Sequence, residues 1–250
     1  MSLDSRTFIF TDLDDTLIQT SKKIPAGVEV KVGALCKEGR PLSYAGAHQL
    51  QLLKLFDAGG AIIIPVTGRN TAATGRVLLP FFNSYRIVSH GALVLKEDNT
   101  PCPDWLDHLH ANHDLEEALR VLHEIDEYAH EVISKQQLNA RCRIIIDFGV
   151  PAYLSIKCEE DVTPLVALKS ALDPMIPQGA KWHQNGRNMA LMMPYTSKLG
   201  AVQFVMRSLG VKTNDLLIGL GDSISDIPFM RETQFVMLPR GSQIDEQLGQ

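Results

Sequence analysis

Short apolar runs alternate along this chain with stretches of helical period. Phe8-Ile9-Phe10-Thr11-Asp12-Leu13 is a short apolar run ending in carboxylates, the pattern of a buried strand whose end reaches solvent. Residues 61–66 form a second run, followed at once by Thr67-Gly68-Arg69. Residues 86–89 and 92–95 give a third, interrupted by His90-Gly91. Residues 216–220 give a fourth, followed by Gly221-Asp222, and residues 235–238 a fifth. Helical patterns lie between. One helix is expected from a Ser43 cap to Asp57, with Leu50, Leu53 and Phe56 on one side and Gly59-Gly60 stopping it. Another is expected after a Ser197 cap, with Ala201, Val202, Val205 and Leu209 inward and Gly210 at its end. Strands alternating with helices predict an α/β fold, a Rossmann-like parallel sheet covered on both faces. Right-handed crossovers put all strand C-termini on one edge, where ligands of open α/β sheets bind. Residues 12, 67 and 222 are expected to meet there.

The middle of the chain has another rhythm. Asp114 with Glu117 resembles a capping box, and Leu115, Ala118, Leu119, Leu122, Ile125, Ala129 and Val132 follow at helical spacing. Two strands, 143–148 and 153–157, are expected around a turn at 149–152. A helix over 163–172 and a strand over 188–193 follow. This grouping predicts an inserted α+β module over residues 98–194, leaving a discontinuous core of 1–97 and 195–250. Residues 20–42 read equally as a hairpin flap beside the first carboxylates or as an ordinary surface loop. No internal repeat or low-complexity tract occurs.

Composition narrows the functional classes. The 250 residues are 45% hydrophobic and 21% charged, with a net charge of -5. That is enough to bury one large or two modest cores. It gives no global electrostatic reason to bind nucleic acid or an anionic membrane. Four cysteines, at 36, 102, 142 and 158, form no C-x-x-C pair, so neither zinc nor redox chemistry is signalled. A reduced, cytoplasmic protein is expected. No apolar run approaches the ~18 residues of a membrane span, and no charged-then-apolar leader opens the chain.

Four constellations carry chemistry. Asp12-Leu13-Asp14-Asp15-Thr16 leaves a hydrophobic strand with carboxylates at i and i+2, able to share a metal and divide nucleophile and acid/base roles. A calcium loop counted from Asp12 would need Gly and Glu where Leu17 and Lys23 stand. Thr67-Gly68-Arg69 offers a hydroxyl and backbone N–H groups to phosphoryl oxygens. Lys198 sits in a first helical turn, unfavourable for a cation unless it faces an anion. Gly221-Asp222-Ser223-Ile224-Ser225-Asp226 places two carboxylates four apart, and Asp222 is a candidate ligand for a hard cation such as Mg²⁺. His108, His110 and His113 lie close together. His108 and His110 would share one side of an extended segment, so a histidine metal site stands there as an alternative to a polar surface loop.

Together the four constellations resemble the haloacid dehalogenase superfamily of phosphatases, the branch with a C2-type cap that includes sucrose-phosphatases and trehalose-phosphatases. The resemblance implies a Mg²⁺-dependent phosphoric monoester hydrolase acting through an aspartyl-phosphate. Asp12, Asp14, Thr67 and Lys198 would be catalytic, and Thr16, Gly68 and Arg69 would bind substrate or orient the loop. Asp12, Asp14 (through its carbonyl), Asp222 and Asp226 would hold the metal. The substrate would be a small sugar phosphate, chosen by the cap, for which Arg141, Arg143, Lys157, Lys181, His183, Gln184, Asn185 and Arg187 are polar candidates. The protein would be a monomer or homodimer. Many members carry Asn where Ser225 stands, and the usual last helix is expected to be short or missing. A phosphomutase of the same superfamily and a silent phosphate-binding or regulatory protein are the alternatives.

Overall fold

A computed structural model of the chain describes residues 5–249. In chain order its elements are β1 (Thr7–Thr11), β2 (Val30–Leu35), β3 (Pro41–Gly46), α1 (Ala47–Ala58), β4 (Ile62–Pro65), α2 (Thr71–Thr74), β5 (Arg86–Val88), β6 (Leu93–Leu95), α3 (Pro103–Asn112), α4 (Leu115–Lys135), β7 (Ala140–Asp147), β8 (Val150–Cys158), α5 (Thr163–Leu172), β9 (Lys181–Asn185), β10 (Asn188–Met192), α6 (Lys198–Ser208), β11 (Leu216–Leu220), α7 (Ile227–Met230), β12 (Phe235–Met237) and α8 (Gln243–Leu248). Two compact units result. One runs up to Cys102 and resumes at Lys198; the other is Pro103–Ser197. All four cysteines are free. No helix among the described residues is long and apolar enough to cross a membrane.

In the first unit β12, β11, β1 and β4 form a parallel sheet in that order. Phe8, Ile9 and Phe10 are fully buried, so β1 reads as a continuous apolar run because both faces are covered. The chain leaves β1 toward β4 on one side and returns through β11 on the other, which makes β1 a switch point of the sheet. Ile9, Leu13, Leu17, Leu53, Ile63 and Leu220 share one core cluster.

Two sequence expectations for this unit change, and one left open is decided. The third strand does not extend the sheet: β5 and β6 pair antiparallel with each other, and a single parallel bridge, Val66 to Ile87, joins them to it. The reversal occurs at residues Ser89–Gly91, all of positive φ. Ser43 caps no helix. It is buried in β3, whose pairing with β2 continues to Gly46, so α1 starts only at Ala47 without a side-chain cap. Strand pairing here overrides local capping preference. Residues 20–42 lead into a hairpin rather than a plain loop, β2 pairing with β3 as far as Gly46, and Tyr44 ties it to the first segment through Gln19. The last helix, α8, is six residues long and capped by Ser242.

The second unit is an antiparallel sheet in the order β7, β8, β10, β9, packed on α4 and α5. Helix α4 buries Leu115, Ala118, Leu122, Ile125, Ala129 and Val132, and the Asp114 carboxylate accepts from the Glu117 N–H at 2.9 Å. Its hairpin turns on two residues, Phe148 and Gly149, with φ of 48° and 80°. That is tighter than the 149–152 turn expected, and it suits the right-handed twist of the strands. The polar strand β9 escaped the sequence reading because its residues lack apolar alternation. Cross-strand pairing sorts the polar candidates. Arg141 pairs with Lys157, and Arg143 and His183 share a row with Ser155 and Ala190; Lys181 pairs with Met192. These lie on the face opposite Cys142, which meets Asp126 of α4. Gln184, paired with Met189, is on the Cys142 side.

The histidine segment is helical, not extended. Trp105 and Leu109, four apart and both buried, drive α3, and Pro103 suits its first position. His108 and His110, two apart on a helix, then point away from each other. His108 stacks on Trp105 at 5.3 Å, and His113 meets Tyr195 at 5.2 Å.

Candidate active site

The site is assembled at the strand tips of the first unit. The Asp12 N–H extends the β1–β11 ladder by donating to the Leu220 carbonyl at 2.9 Å, and the Val66 N–H donates to the Thr11 carbonyl at 2.8 Å. Parallel pairing therefore sets the ends carrying Asp12, Thr67 and Asp222 side by side. Lys198, the first residue of α6, donates to Asp12 Oδ1 at 2.7 Å and to Asp226 Oδ1 at 2.6 Å. All three residues are buried. Two carboxylates this close outweigh the unfavourable dipole that marked Lys198 in the sequence.

The turn after β11 holds this triad. Asp226 Oδ2 accepts from the Asp222 N–H at 3.2 Å, the Ser223 N–H at 3.1 Å and the Ser223 hydroxyl at 2.9 Å. Ser225 reaches the Ser223 hydroxyl at 2.8 Å, so its place is behind the Asp226 clamp. Gly221 is demanded by close approach: a Cβ there would stand 2.5 Å from Asp226 Cβ and 2.8 Å from Met230 Sδ. The Thr16 hydroxyl lies 3.4 Å from Asp222 Oδ1.

Burial dominates the electrostatics. It pushes the Asp12 carboxyl well up, against the pull of Lys198, with Asp226 and Asp222 adding to the rise. Burial and the neighbouring Asp226 and Asp15 push Asp222 up to about 7. Burial opposes the charge on Lys198, yet Asp12 and Asp226 hold its ammonium above the ordinary lysine range. The site has an excess of carboxylate over cation, and both raised acids would release their protons to an incoming positive charge.

Asp14 and Arg69 form a second group. Arg69 clasps Asp14 with two parallel bonds, Nε to Oδ2 and Nη2 to Oδ1, both 2.6 Å. The Arg69 side chain is 11% exposed and that of Asp14 48%, so the acid stands at the solvent rim of the site. Thr67 is fully buried, and its hydroxyl accepts from the Arg69 N–H at 3.1 Å, which leaves its own proton for another acceptor. Gly68 lies under the His90 imidazole. The sequence reading passed over His90; the break it makes between two apolar runs was the available signal. It also passed over Lys23, which pairs with Asp15 at 2.6 Å.

Comparison with known proteins points one way. No protein-family model and no curated protein matches the chain. Solved structures do. The sucrose-phosphatase from Synechocystis sp., in complex with sucrose and phosphate, superposes with a TM-score of 0.57 at 15% identity, covering 98% of this chain and 86% of that one. A trehalose-6-phosphate phosphatase related protein matches at 0.52 and 16% identity, over 93% and 86%. A phosphatase of the haloalkanoate (HAD) enzyme superfamily from Bacteroides thetaiotaomicron matches at 0.53 and 13% identity, over 98% and 94%. The chain shares the fold of these solved structures. Its coverage spans both units, so the inserted α+β module is part of the likeness.

Within that fold the donor set can be tested for a metal. Asp12, Asp222 and Asp226 are the one group of potential ligands among the described residues, with ligand atoms within 4.8 Å of one another. Hard carboxylate oxygens suit Mg²⁺. Lys198 donates to one oxygen of Asp12, the Thr16 hydroxyl reaches one oxygen of Asp222, and both oxygens of Asp226 are engaged. The cluster of Asp12, Asp222 and Asp226 fits a magnesium site. Asp226, the third member of that group, also anchors Lys198 and its own turn.

Proposed function

We propose that the chain is a Mg²⁺-dependent phosphomonoesterase acting on a small phosphorylated substrate, a sugar phosphate, through an aspartyl-phosphate on Asp12. The observation that carries this reading is the buried Lys198 ammonium held between Asp12 and Asp226, with Asp222 beside them at the tips of parallel strands. A cation and two carboxylates buried together are costly to desolvate. The arrangement makes sense where an anionic group is to be bound and transferred. The sugar-phosphate assignment is supported by the similarly folded proteins described as sucrose-phosphatase and trehalose-6-phosphate phosphatase related.

An Asp12 oxygen attacks phosphorus, and the bond from phosphorus to the sugar oxygen breaks as Asp14 gives that oxygen a proton. Asp14 then takes a proton from water, whose oxygen attacks the aspartyl-phosphate and releases inorganic phosphate. Lys198 and the Thr67 hydroxyl hold the oxygens of the transferring group, and Arg69 orients Asp14. Asp12, Asp222 and the Asp14 carbonyl would hold Mg²⁺, which would offset the repulsion between nucleophile and phosphate, about 4 kcal/mol for unit charges near 4 Å at an effective dielectric of 20.

The test is phosphate release from a panel of sugar phosphates with Mg²⁺, run on the wild type and Asp12→Asn. The wild type should release inorganic phosphate, and the variant should lose turnover while keeping its fold. An active Asp12→Asn protein removes the covalent mechanism. Transfer of phosphate between sugar positions without release marks a mutase, and inertness toward every ester marks a binding protein.

A further inference from the structure

The Thr67-Gly68 loop is braced by a turn that the mechanism above leaves unused. Ser89, His90 and Gly91 have φ of 51°, 57° and 90°. Two successive residues with side chains thus occupy the left-handed region, where such residues are uncommon. Backbone of this kind persists only where its surroundings over-determine it, and it concentrates at ligand clamps. Here the surroundings are the loop itself. The Ser89 N–H donates to the Arg69 carbonyl at 2.7 Å, the His90 N–H donates to the Thr67 carbonyl at 3.0 Å, and the Thr67 N–H donates to the Ile87 carbonyl at 2.9 Å. These bonds straddle Gly68. The half-buried His90 imidazole fills the space above the Gly68 α-carbon: a Cβ there would stand 2.5 Å from Nε2 and 3.0 Å from Nδ1. The same turn packs against α6, which begins with Lys198. One strained turn therefore touches both elements that carry groups for the phosphoryl oxygens.

We propose that His90 is a positioning residue for phosphoryl binding. Its ring, seated on Gly68, sets the height at which the Thr67 hydroxyl is presented. The inference rests on the reading of Thr67 as a phosphoryl ligand. Its physical content is a matched pair: Gly68 has no side chain because His90 fills that space, and His90 holds a left-handed conformation because the loop's carbonyls bind its turn. Alanine at 90 removes the ring and lets the loop settle. Asparagine tolerates the left-handed region and keeps a planar polar group on the glycine.

The test uses the full chain with Mg²⁺, calorimetric binding of inorganic phosphate, aryl phosphate hydrolysis and melting temperature. His90→Ala should raise both the phosphate Kd and KM by about 10-fold or more, since displacement of a binding group by ~1 Å can cost 10²-fold. His90→Asn should recover most of the loss. Gly68→Ala should weaken phosphate binding similarly, and Gly68→Ala combined with His90→Gly should restore it, which no general loss of stability would produce. Variants that bind phosphate like the wild type, or that change only melting temperature, overturn the proposal. A wild type that binds phosphate but hydrolyses no ester overturns the phosphatase reading and leaves His90 to be judged by binding. A wild type that binds no phosphate overturns both.

Discussion

Two side chains in this molecule do the same thing in opposite surroundings. Lys198 lies between Asp12 and Asp226, and Arg120 on α4 lies between Glu117 and Glu124. The Lys198 side chain is 7% exposed and its partners 7% and 0%; that of Arg120 is 57% exposed and its partners 51% and 53%. At the surface, water solvates each charge whether or not the pair forms, so the triad on α4 is a minor contribution to an already amphipathic helix. In the interior, each charge is held against a desolvation cost that its partners must offset. A fold has cheaper ways to be stable than the Lys198 arrangement, which is why the buried triad is informative about function and the exposed one is not.

That contrast can be broken experimentally. The largest effect is expected at Lys198. Lys198→Met should lower kcat/KM by roughly 10²–10³ or more, the scale of losing a group that stabilises transition-state charge. It should also destabilise the magnesium-free protein by about 3–5 kcal/mol by leaving buried carboxylates unpaired, as read by denaturant unfolding. A mild effect on both counts would erase the distinction. Asp14→Asn, at the half-exposed pair with Arg69, should cost turnover of sugar phosphates far more than of aryl phosphates, whose leaving groups need little protonation. Parallel kinetics on the two ester classes test this, and equal losses would remove the acid role.

A smaller effect concerns pH. Asp222 titrates near 7 in the folded, metal-free chain, against about 3.9 when unperturbed. Between those values the folded state holds a proton that the unfolded state releases. The group therefore favours folding at the acid side of that window, and the contribution disappears as pH rises through about 7. Bound magnesium favours the ionised form and reverses the trend. Magnesium should raise the melting temperature by several degrees at about pH 8 and by much less near pH 5.5. A shift equal at both pH values would place the cation elsewhere. The smallest effect is expected at the surface: Arg120→Ala should move the melting temperature by about 1–2 °C or less.

The second unit marks how far local pattern can be read. Its long helix and Asp114 cap follow from 3.6-residue periodicity, and α4 begins and buries its face as that pattern requires. The polar strand β9 has no such pattern, and it is a strand only because β10 offers a pairing partner. Ser43 failed as a cap for the same reason: a non-local ladder took the backbone that the cap would have used. In the first unit the motif residues around Asp12, Thr67, Lys198 and Asp222 were legible as chemistry. The hydrogen bonds that tie Asp226 to Lys198 and to the Ser223 turn were not, since they depend on how the packed chain brings those groups together.

Spacing along the chain was enough to specify the apolar strands, the periodic helices and the acids that follow the strands, because each of those rests on neighbours within a few positions. Folding was needed to give the acids their partners, their protonation and the ring on Gly68. Those properties arise from groups far apart in the chain, such as Thr16 and Asp222 at 206 positions, and from burial, which belongs to the packed chain and to no residue in isolation.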